Sequence, residues 1–399
     1  MKALLLENIH PSAIGTLNDN SITTETIKGS LSEDEVIARL AGVSILGIRS
    51  RTHVTRRVLD NAKDLLAVGA YCIGTNQIDL GAASNAGVAV FNAPYSNTRS
   101  VAEIVIAEII FLIRRLYDKI AKAHQGVWDK SADHAREVRG KKLGIIGFGN
   151  IGSQVSTLAE SLGMDVYYYD VVDKLSIGNA TRMRSLHDLL RIADIITLHV
   201  DGNAANTNLI DEPEFEVMKD GVLILNLSRG HVINIERLRE HLLSGKVAGA
   251  SLDVFPNEPK SGSERFVSPL QNLPNVLLTP HIGGSTEEAQ ENIGEFVSAK
   301  LLDYVRFGTT FTSVNFPKIN APKSDDADTH RLLHVHQNVP GVLSNINGIF
   351  AKNNVNVLTQ YLRTNEQIGY VIADVDKEYH DSLYDDLQKV GHTIKVRII

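Results

Sequence analysis

The chain of 399 residues is almost without cysteine. Cys72 is its single one, so an internal disulfide framework and a cysteine-built metal site are both excluded, and a reducing cytoplasm is the expected setting. Long unbroken apolar runs are missing too. The greasiest stretch, VAEIVIAEIIFLI at 101–113, is interrupted by Glu103 and Glu108, which suits a buried helix and argues against a membrane span. The opening MKALLLENIH has an apolar stretch too short for the core of a secretory leader, so no membrane association is expected. There is no basic excess: 47 acidic residues outweigh 40 basic ones, giving a formal charge of −7, and no Lys/Arg block exists to track a phosphodiester backbone. Nucleic acid is therefore not an expected partner. No histidine or acidic cluster has metal-ligand spacing, so no metal is expected. What is present is an apolar fraction of 43% over a length sufficient for two or three domains with their own cores.

From Leu143 the pattern alternates short apolar strands with helical stretches: LGIIG, IGSQVSTLAESLG, VYYYD. Further strand-like runs follow at 194–200, 222–227, 247–253 and 275–279, which predicts an open parallel sheet covered on both faces. Residues 1–92 alternate in the same way, with strands expected at 3–6, 43–48, 65–68 and 88–91, and a helix over about 98–120 leads out of them. A second helical stretch at 286–307 precedes NFPKINAPKSDDADTH, whose composition reads as a linker ending near 329. The last 70 residues read as strand, helix, strand, strand, helix, strand, the ferredoxin-like βαββαβ order. The expected fold class is thus α/β: two doubly wound parallel-sheet domains and a ferredoxin-like tail. The expected divisions are 1–97 with 286–317, then 98–285, a linker at 318–329, and a tail at 330–399. Edge strands of such a tail must be paired or covered, and pairing between copies is one solution.

The first chemical motif is GFGNIG at 147–152, placed after a strand and opening a helix. Gly147, Gly149 and Gly152 permit a tight turn, close approach of a pyrophosphate and close helix packing, while the helix start offers free N–H groups. Asp170 follows Gly152 at the end of the next strand, where a carboxylate accepts hydrogen bonds from a ribose diol and repels a 2′-phosphate. The residues just after it, Val171 and Val172, offer no arginine. These residues predict a Rossmann-like unit that binds NAD and not NADP.

Ligands of open α/β sheets lie at the carboxyl ends of the strands. Three later strands end on that edge with polar signatures: NLSRG with Arg229, LDVFPNEP with Glu258 and LTPHIGG with His281. Oxidising a secondary alcohol requires that a base take the hydroxyl proton while hydride leaves the carbon, and an imidazole titrating near neutrality suits that task. A carboxylate on its second ring nitrogen fixes the tautomer, which suits Glu258. A substrate carboxylate calls for a fixed, forked cation, which suits Arg229.

SRG, NEP and PHIGGST, in this order after GFGNIG, resemble the NAD-dependent D-2-hydroxyacid dehydrogenase family over roughly residues 3–317. GIRSRT (47–52), CIGTNQID (72–79) and NAPYSNTRSVAE (92–103) are similar to the branch of it that acts on 3-phospho-D-glycerate. The resemblance implies oxidation of that substrate at C2, with reduction of 2-oxo acids such as 2-oxoglutarate in the reverse direction. It makes Arg229, Glu258 and His281 catalytic, and it places nucleotide contacts at Asn150, Ile151, Asp170, Leu227, Ser228, Asp253, Gly283 and Gly284. It also implies that Arg49 and Arg51, two apart and facing one way if on a strand, grip the phosphate. Ile73, Gly74 and Asn97 are implied against the carboxylate or hydroxyl. Lys28 is a further candidate, as are Trp128 and Lys130, the last two reaching toward a neighbouring subunit. One departure is Asp201, where the family's loop after LHV begins with proline. The tail, with HVHQNVPGVL and VNVLTQYL, resembles an ACT domain of the serine-sensing kind. That likeness implies L-serine as an allosteric inhibitor held by His336, Asn338 and Asn356, with Gly341 allowing close approach at a helix start, and a homotetramer. The alternatives are another D-2-hydroxyacid dehydrogenase and an NAD-sensing binding protein on the same fold.

Overall fold

The computed structural model describes residues 1–259, 264–322, 329–376 and 382–399. The chain divides into two compact units, Met1–Ser96 with Gln290–Ile399, and Asn97–Ala289.

The first unit opens with five parallel strands, β1 (Lys2–Leu5), β2 (Thr23–Thr26), β3 (Ile45–Ile48), β4 (Ala67–Ala70) and β5 (Ala89–Asn92), in the order β2-β1-β3-β4-β5. Helices α1 (Pro11–Asn18), α2 (Glu33–Arg39), α3 (Arg56–Asp60) and α4 (Leu80–Asn85) connect them. β3 and β4 are buried along their whole length, as strands covered on both faces must be. β2 is an addition to the sequence expectation: its TTET has no apolar pattern because it is an edge strand, exposed or half-buried throughout. Arg49 and Arg51 correct another expectation. β3 stops at Ile48, so both lie in the loop beyond its carboxyl end and are not a same-facing pair on a strand.

The second unit starts with α5 (Thr98–Arg114) and α6 (Leu116–His124). The single helix expected over 98–120 is broken at Arg115, whose φ of 54° is left-handed. The sheet then builds from β6 (Lys142–Ile146), β7 (Asp165–Tyr169), β8 (Thr181–Arg182), β9 (Ile195–Leu198), β10 (Val222–Asn226), β11 (Val247–Leu252) and β12 (Val276–Leu278), with α7 (Asn150–Ser161), α8 (Leu186–Ile192), α9 (Glu212–Val217) and α10 (Ile235–Ser244) between strands. All pairings are parallel, in the order β12-β11-β10-β9-β6-β7-β8. The order reverses between β6 and β9, which opens a crevice at their carboxyl ends. Alternate residues feed two cores, Ile146, Ile196 and Ile224 on one face and Ile145, Ile195 and Leu225 on the other.

α11 (Glu287–Phe307) carries the chain back, burying Ile293, Val297, Leu301 and Tyr304 against Leu5, Tyr71 and Phe91. The segment read as a linker is packed where it is described: Phe316, Ile319 and Ala321 are buried, and Asn315 Oδ1 accepts from Val90 N at 2.8 Å. Its Pro and Lys content marks an irregular backbone, not a loose one; residues 323–328 of it lie outside the described residues. The tail follows as β13 (Thr329–Gln337), α12 (Val342–Lys352), β14 (Val357–Thr364), β15 (Ile368–Asp376), α13 (Ser382–Gln388) and β16 (Thr393–Ile398). Its antiparallel order, β14-β15-β13-β16, is ferredoxin-like. One face of this sheet packs Leu332, Val371 and Val375 against Ile346 and Phe350 of α12. The other sends Leu333, Val335, Tyr370 and Ile372 into the core shared with β1, β5 and α11. At the seam the Tyr370 hydroxyl donates to Gly308 O at 2.7 Å, and Lys395 Nζ donates to Leu65 O at 2.7 Å. Among the described residues, no helix is long and apolar enough to cross a membrane.

Candidate active site

Within the second unit, the loops leaving β10, β11 and β12 bring Arg229, Glu258 and His281 to one edge. Gly230 makes the first approach possible, because a Cβ there would lie 2.0 Å from the carbonyl carbon of Phe255. The Arg229 loop therefore rests backbone to backbone on the Phe255–Pro256 turn that leads to Glu258. Asn226 holds this loop from below: Ser228 N donates to its Oδ1 at 3.0 Å, and its Nδ2 donates to Arg229 O at 2.9 Å. The Arg229 guanidinium folds back to donate to Ser228 O at 2.6 Å. Gly202 leaves it room, since a Cβ there would sit 3.3 Å from Nε. Asp201, the departure from the family's proline, closes its own turn by accepting from Asn203 N at 3.1 Å and Asn206 Nδ2 at 2.8 Å. A side-chain turn thus stiffens the loop where a proline ring would otherwise fix φ.

Glu258 and His281 are bonded directly, Nδ1 to Oε2 at 2.9 Å, and the other carboxylate oxygen accepts from Phe255 N at 3.1 Å. The imidazole is half exposed, at 53% of its side-chain surface. Its pKa is raised, first by the hydrogen bond its ring donates to Glu258, with burial opposing and the charges of Glu258 and Asp253 adding to it. Burial alone would raise the Glu258 carboxyl, but the His281 bond and charge, the Phe255 amide and Arg229 outweigh it and hold it low. A carboxylate on Nδ1 leaves Nε2 as the open position of the ring.

His281 itself sits at φ 55°, and the anchor of its loop is a residue expected only as a nucleotide contact. Asp253, 1% exposed, accepts from Thr279 Oγ1 at 2.7 Å, Ile282 N at 2.8 Å and Gly283 N at 2.8 Å. Gly284 abuts Asn97 of the same unit, where a Cβ would come 2.3 Å from Nδ2. Below them Glu108, 6% exposed on α5, faces Ser251 and Asp253, and burial pushes its carboxyl up to about 7.

The glycine loop fits a dinucleotide. A Cβ on Gly147 (φ 91°) would lie 2.5 Å from His199 O, and one on Gly152 would lie 2.2 Å from Gly147 O, so both keep the turn closed. Around Gly149 the space is open, and the α7 N-terminus has no side-chain cap, which leaves its first amides for an anion. Asn150 and Ile151 form its first turn. Asp170 spends one lone pair of each oxygen, on Phe148 N and Val172 N, both at 2.8 Å, and keeps the others for a diol. A cleft beside the loop is walled by Lys174, Leu175 and Ile177, which no motif in the sequence marks. Their signal is apolar exposure without a core partner, Leu175 being 91% exposed, as an adenine wall would be. A larger cavity of about 360 Å³ opens at the amino ends of β10 and β11, the sheet edge opposite His281.

In the first unit the structure gathers Arg49, Arg51, Ile73 and Gly74 at the carboxyl edge of β3 and β4. Gln77 joins the two loops, its Nε2 donating to Arg49 O at 2.6 Å and Gly74 O at 3.2 Å. Cys72, half-buried, donates to the same Gly74 O at 3.2 Å. The buried Glu7 accepts from Arg49 N, Arg51 N and Thr52 N. Glu7 does not stand out in the sequence, because side chain to backbone bonds over more than 40 residues leave no spacing pattern. Lys28 is exposed near them, between Ile27 and Gly29, whose carbonyls accept from Asn8 N and Glu7 N. Trp128 (83% exposed) and Lys130 lie in the second unit, in the segment after α6.

In the tail, His336 Nδ1 bonds Gln337 O at 2.7 Å while its buried Nε2 has no partner among the described residues, and Asn338 Nδ2 donates to Asn365 O at 2.8 Å. Gly341 starts α12 with φ 91° and open space beside it. Asn356 does not join them. His336 pairs with Gly369 whereas Asn356 is bonded to Asp376, which places them about 23 Å apart along β15 at ordinary strand rise.

Residues 106–283 match the D-isomer specific 2-hydroxyacid dehydrogenase NAD binding domain, and 332–395 match an AHAS small subunit-like ACT domain. The chain is 48% identical to D-3-phosphoglycerate dehydrogenase of Haemophilus influenzae, over all of this chain and 97% of that one. It is 45% identical to D-3-phosphoglycerate dehydrogenase 1 of Saccharomyces cerevisiae, over all of this chain and 87% of the other. Among solved structures, D-lactate dehydrogenase from Aquifex aeolicus complexed with NAD and lactic acid is similar with a TM-score of 0.68 and 26% identity, covering 79% of this chain and all of that one.

Proposed function

The chain belongs to the D-3-phosphoglycerate dehydrogenases of the NAD-dependent D-2-hydroxyacid dehydrogenase family, and from that membership we propose that it oxidises 3-phospho-D-glycerate at C2 to 3-phosphohydroxypyruvate. The observation that carries the reading is the Glu258–His281 pair beside Arg229, on the strand edge that also holds the glycine loop. Bound NAD supplies the acceptor for the C2 hydrogen as hydride. The residues supply the rest. His281 carries its ring proton on Nδ1 toward Glu258, so Nε2 takes the C2 hydroxyl proton, and Glu258 stabilises the imidazolium that forms. Arg229 is assigned to the substrate carboxylate and the developing carbonyl oxygen, Arg49 and Arg51 to the phosphate. In reverse, His281 returns its proton to a 2-oxo acid, and 2-oxoglutarate is such a substrate.

NAD is held by the α7 N-terminus and Asp170, while Asp253 positions the His281 loop by accepting its amides. Two or more copies are needed if L-serine uses His336, Asn338 and Asn356 together, because one tail sets the last apart from the first two. A homotetramer built through tail edges and the exposed Trp128 segment, working in the cytoplasm as the first enzyme of the phosphorylated route to serine, completes the reading.

The test is direct. Purified protein with phosphoglycerate and NAD at alkaline pH, with the product trapped, is expected to form reduced cofactor, and L-serine is expected to slow it. His281→Ala is expected to abolish turnover while NAD binding, followed by fluorescence or calorimetry, stays within about twofold of the parent. A flat trace from the unaltered protein would reject the activity and leave a nucleotide-binding protein.

A further inference from the structure

The loop between β3 and α3 carries both arginines assigned to the phosphate, and its backbone is shaped like a receptor for an anion. Three of its amides converge: Arg49 N and Thr52 N lie 3.2 and 2.8 Å from one carboxylate oxygen of Glu7, and Arg51 N lies 3.0 Å from the other. The occupant belongs to the chain. Glu7 is 8% exposed and adopts a left-handed φ of 62°, followed by Asn8 at 53°, so two successive non-glycine residues take an unfavoured conformation to deliver that carboxylate. Its own amide is tied to Gly29 O at 3.0 Å and that of Asn8 to Ile27 O at 3.4 Å, which links it to both sides of Lys28. On the far side of the loop, Gln77 holds the Arg49 carbonyl.

We propose that Glu7 is a positioning residue for the substrate phosphate: an internal anion that fills the amide nest of residues 49–52, connects it to the Lys28 segment and fixes where Arg49 and Arg51 project. With the amides taken, an incoming phosphate finds only the guanidinium groups. Recognition by forked side-chain donors, and not by backbone N–H groups, follows from that. The same carboxylate keeps small free anions out of the nest. The proposal rests on the phosphoglycerate reading above.

Chemical rescue separates this role from general support of the fold. Glu7→Ala removes the side chain beyond Cβ and leaves space for acetate against the three amides. The full-length variant is expected to raise KM for phosphoglycerate by about ten- to a hundredfold, the scale of a misplaced positioning group, with KM for NAD and kcat within about twofold. Sodium acetate is expected to restore most of that KM, while sodium chloride at equal ionic strength is not, with the unaltered protein assayed in both salts as reference. Should Glu7→Ala fail to fold, Glu7→Gln is used. It keeps the shape but presents an NH2 to an amide donor, and it is expected to raise the phosphoglycerate KM while leaving KM for 2-oxoglutarate, which has no phosphate, unchanged. An unaltered KM, an equal change in every kinetic constant, or acetate acting no differently from chloride would overturn the proposal. Absence of turnover in the parent protein would instead overturn the reading beneath it.

Discussion

His281 and Glu258 set each other's protonation, and this gives a measurable pH dependence. The oxidation needs the imidazole neutral, so its rate rises with pH through the raised His281 pKa. Glu258→Gln removes the hydrogen-bonded charge that raises it. The acidic limb of the kcat/KM profile is then expected to move to lower pH, while kcat falls by about a hundredfold or more for want of imidazolium stabilisation. A second carboxyl acts on stability. Burial lifts Glu108 from the ordinary value of 4.5 to about 7, so between those pH values the unfolded chain has released a proton that the folded one keeps. Stability therefore falls as pH rises across that window and is level above it. Glu108→Gln is expected to unfold at higher urea than the parent at pH 8, by up to about 3 kcal/mol, and at nearly the same urea at pH 4.5.

At the scale of elements, loops and not strands decide the site, and backbone contact decides the loops. Gly230→Ala would drive a methyl into the Phe255 carbonyl, where neither side is a flexible side chain. Loss of about 2–3 kcal/mol in urea unfolding is expected, together with a fall in kcat/KM as Arg229 and Glu258 move together. Much of this level was legible beforehand. The glycine loop, Asp170 and the three polar strand ends announce themselves because period, spacing and the carboxyl-edge rule act locally. What escaped was held by contacts without a local signature. β2 is a polar edge strand with no apolar alternation, and the break at Arg115 uses a left-handed arginine with neither glycine nor proline to mark it. Asp253, expected as a nucleotide contact, also anchors the His281 loop some thirty residues on, a role with no local signature. Arg49 and Arg51 were visible as cations, but the Glu7 carboxylate that orders their loop is more than 40 residues earlier.

Across the first unit, the tail is a structural partner of the opening sheet as well as a candidate sensor. Arg331 and Asp374 form a forked pair at 2.6 and 2.9 Å inside its sheet, with side-chain exposures of 6% and 11%. Burial would raise Asp374, but the bonds from Arg331 and Thr359 hold it low. Arg331→Met is expected to cost about 3–5 kcal/mol by stranding the carboxylate, while the double variant with Asp374→Leu recovers most of it, as read by thermal unfolding. The charge pair thus matters through its completeness, and the apolar seam around Tyr370 does the joining.

That seam also orders events in time. The core that encloses Leu5, Tyr71 and Phe91 is finished by Tyr304, Phe316, Leu333 and Tyr370, so strands made early are sealed by residues made more than 200 positions later. The intervening unit, Asn97–Ala289, has its own cores and can close while synthesis continues. At roughly 5–20 residues per second, the opening sheet waits on the order of 15 to 60 s with apolar surface uncovered. A nascent chain halted before β13 is accordingly expected to be the form most dependent on chaperones.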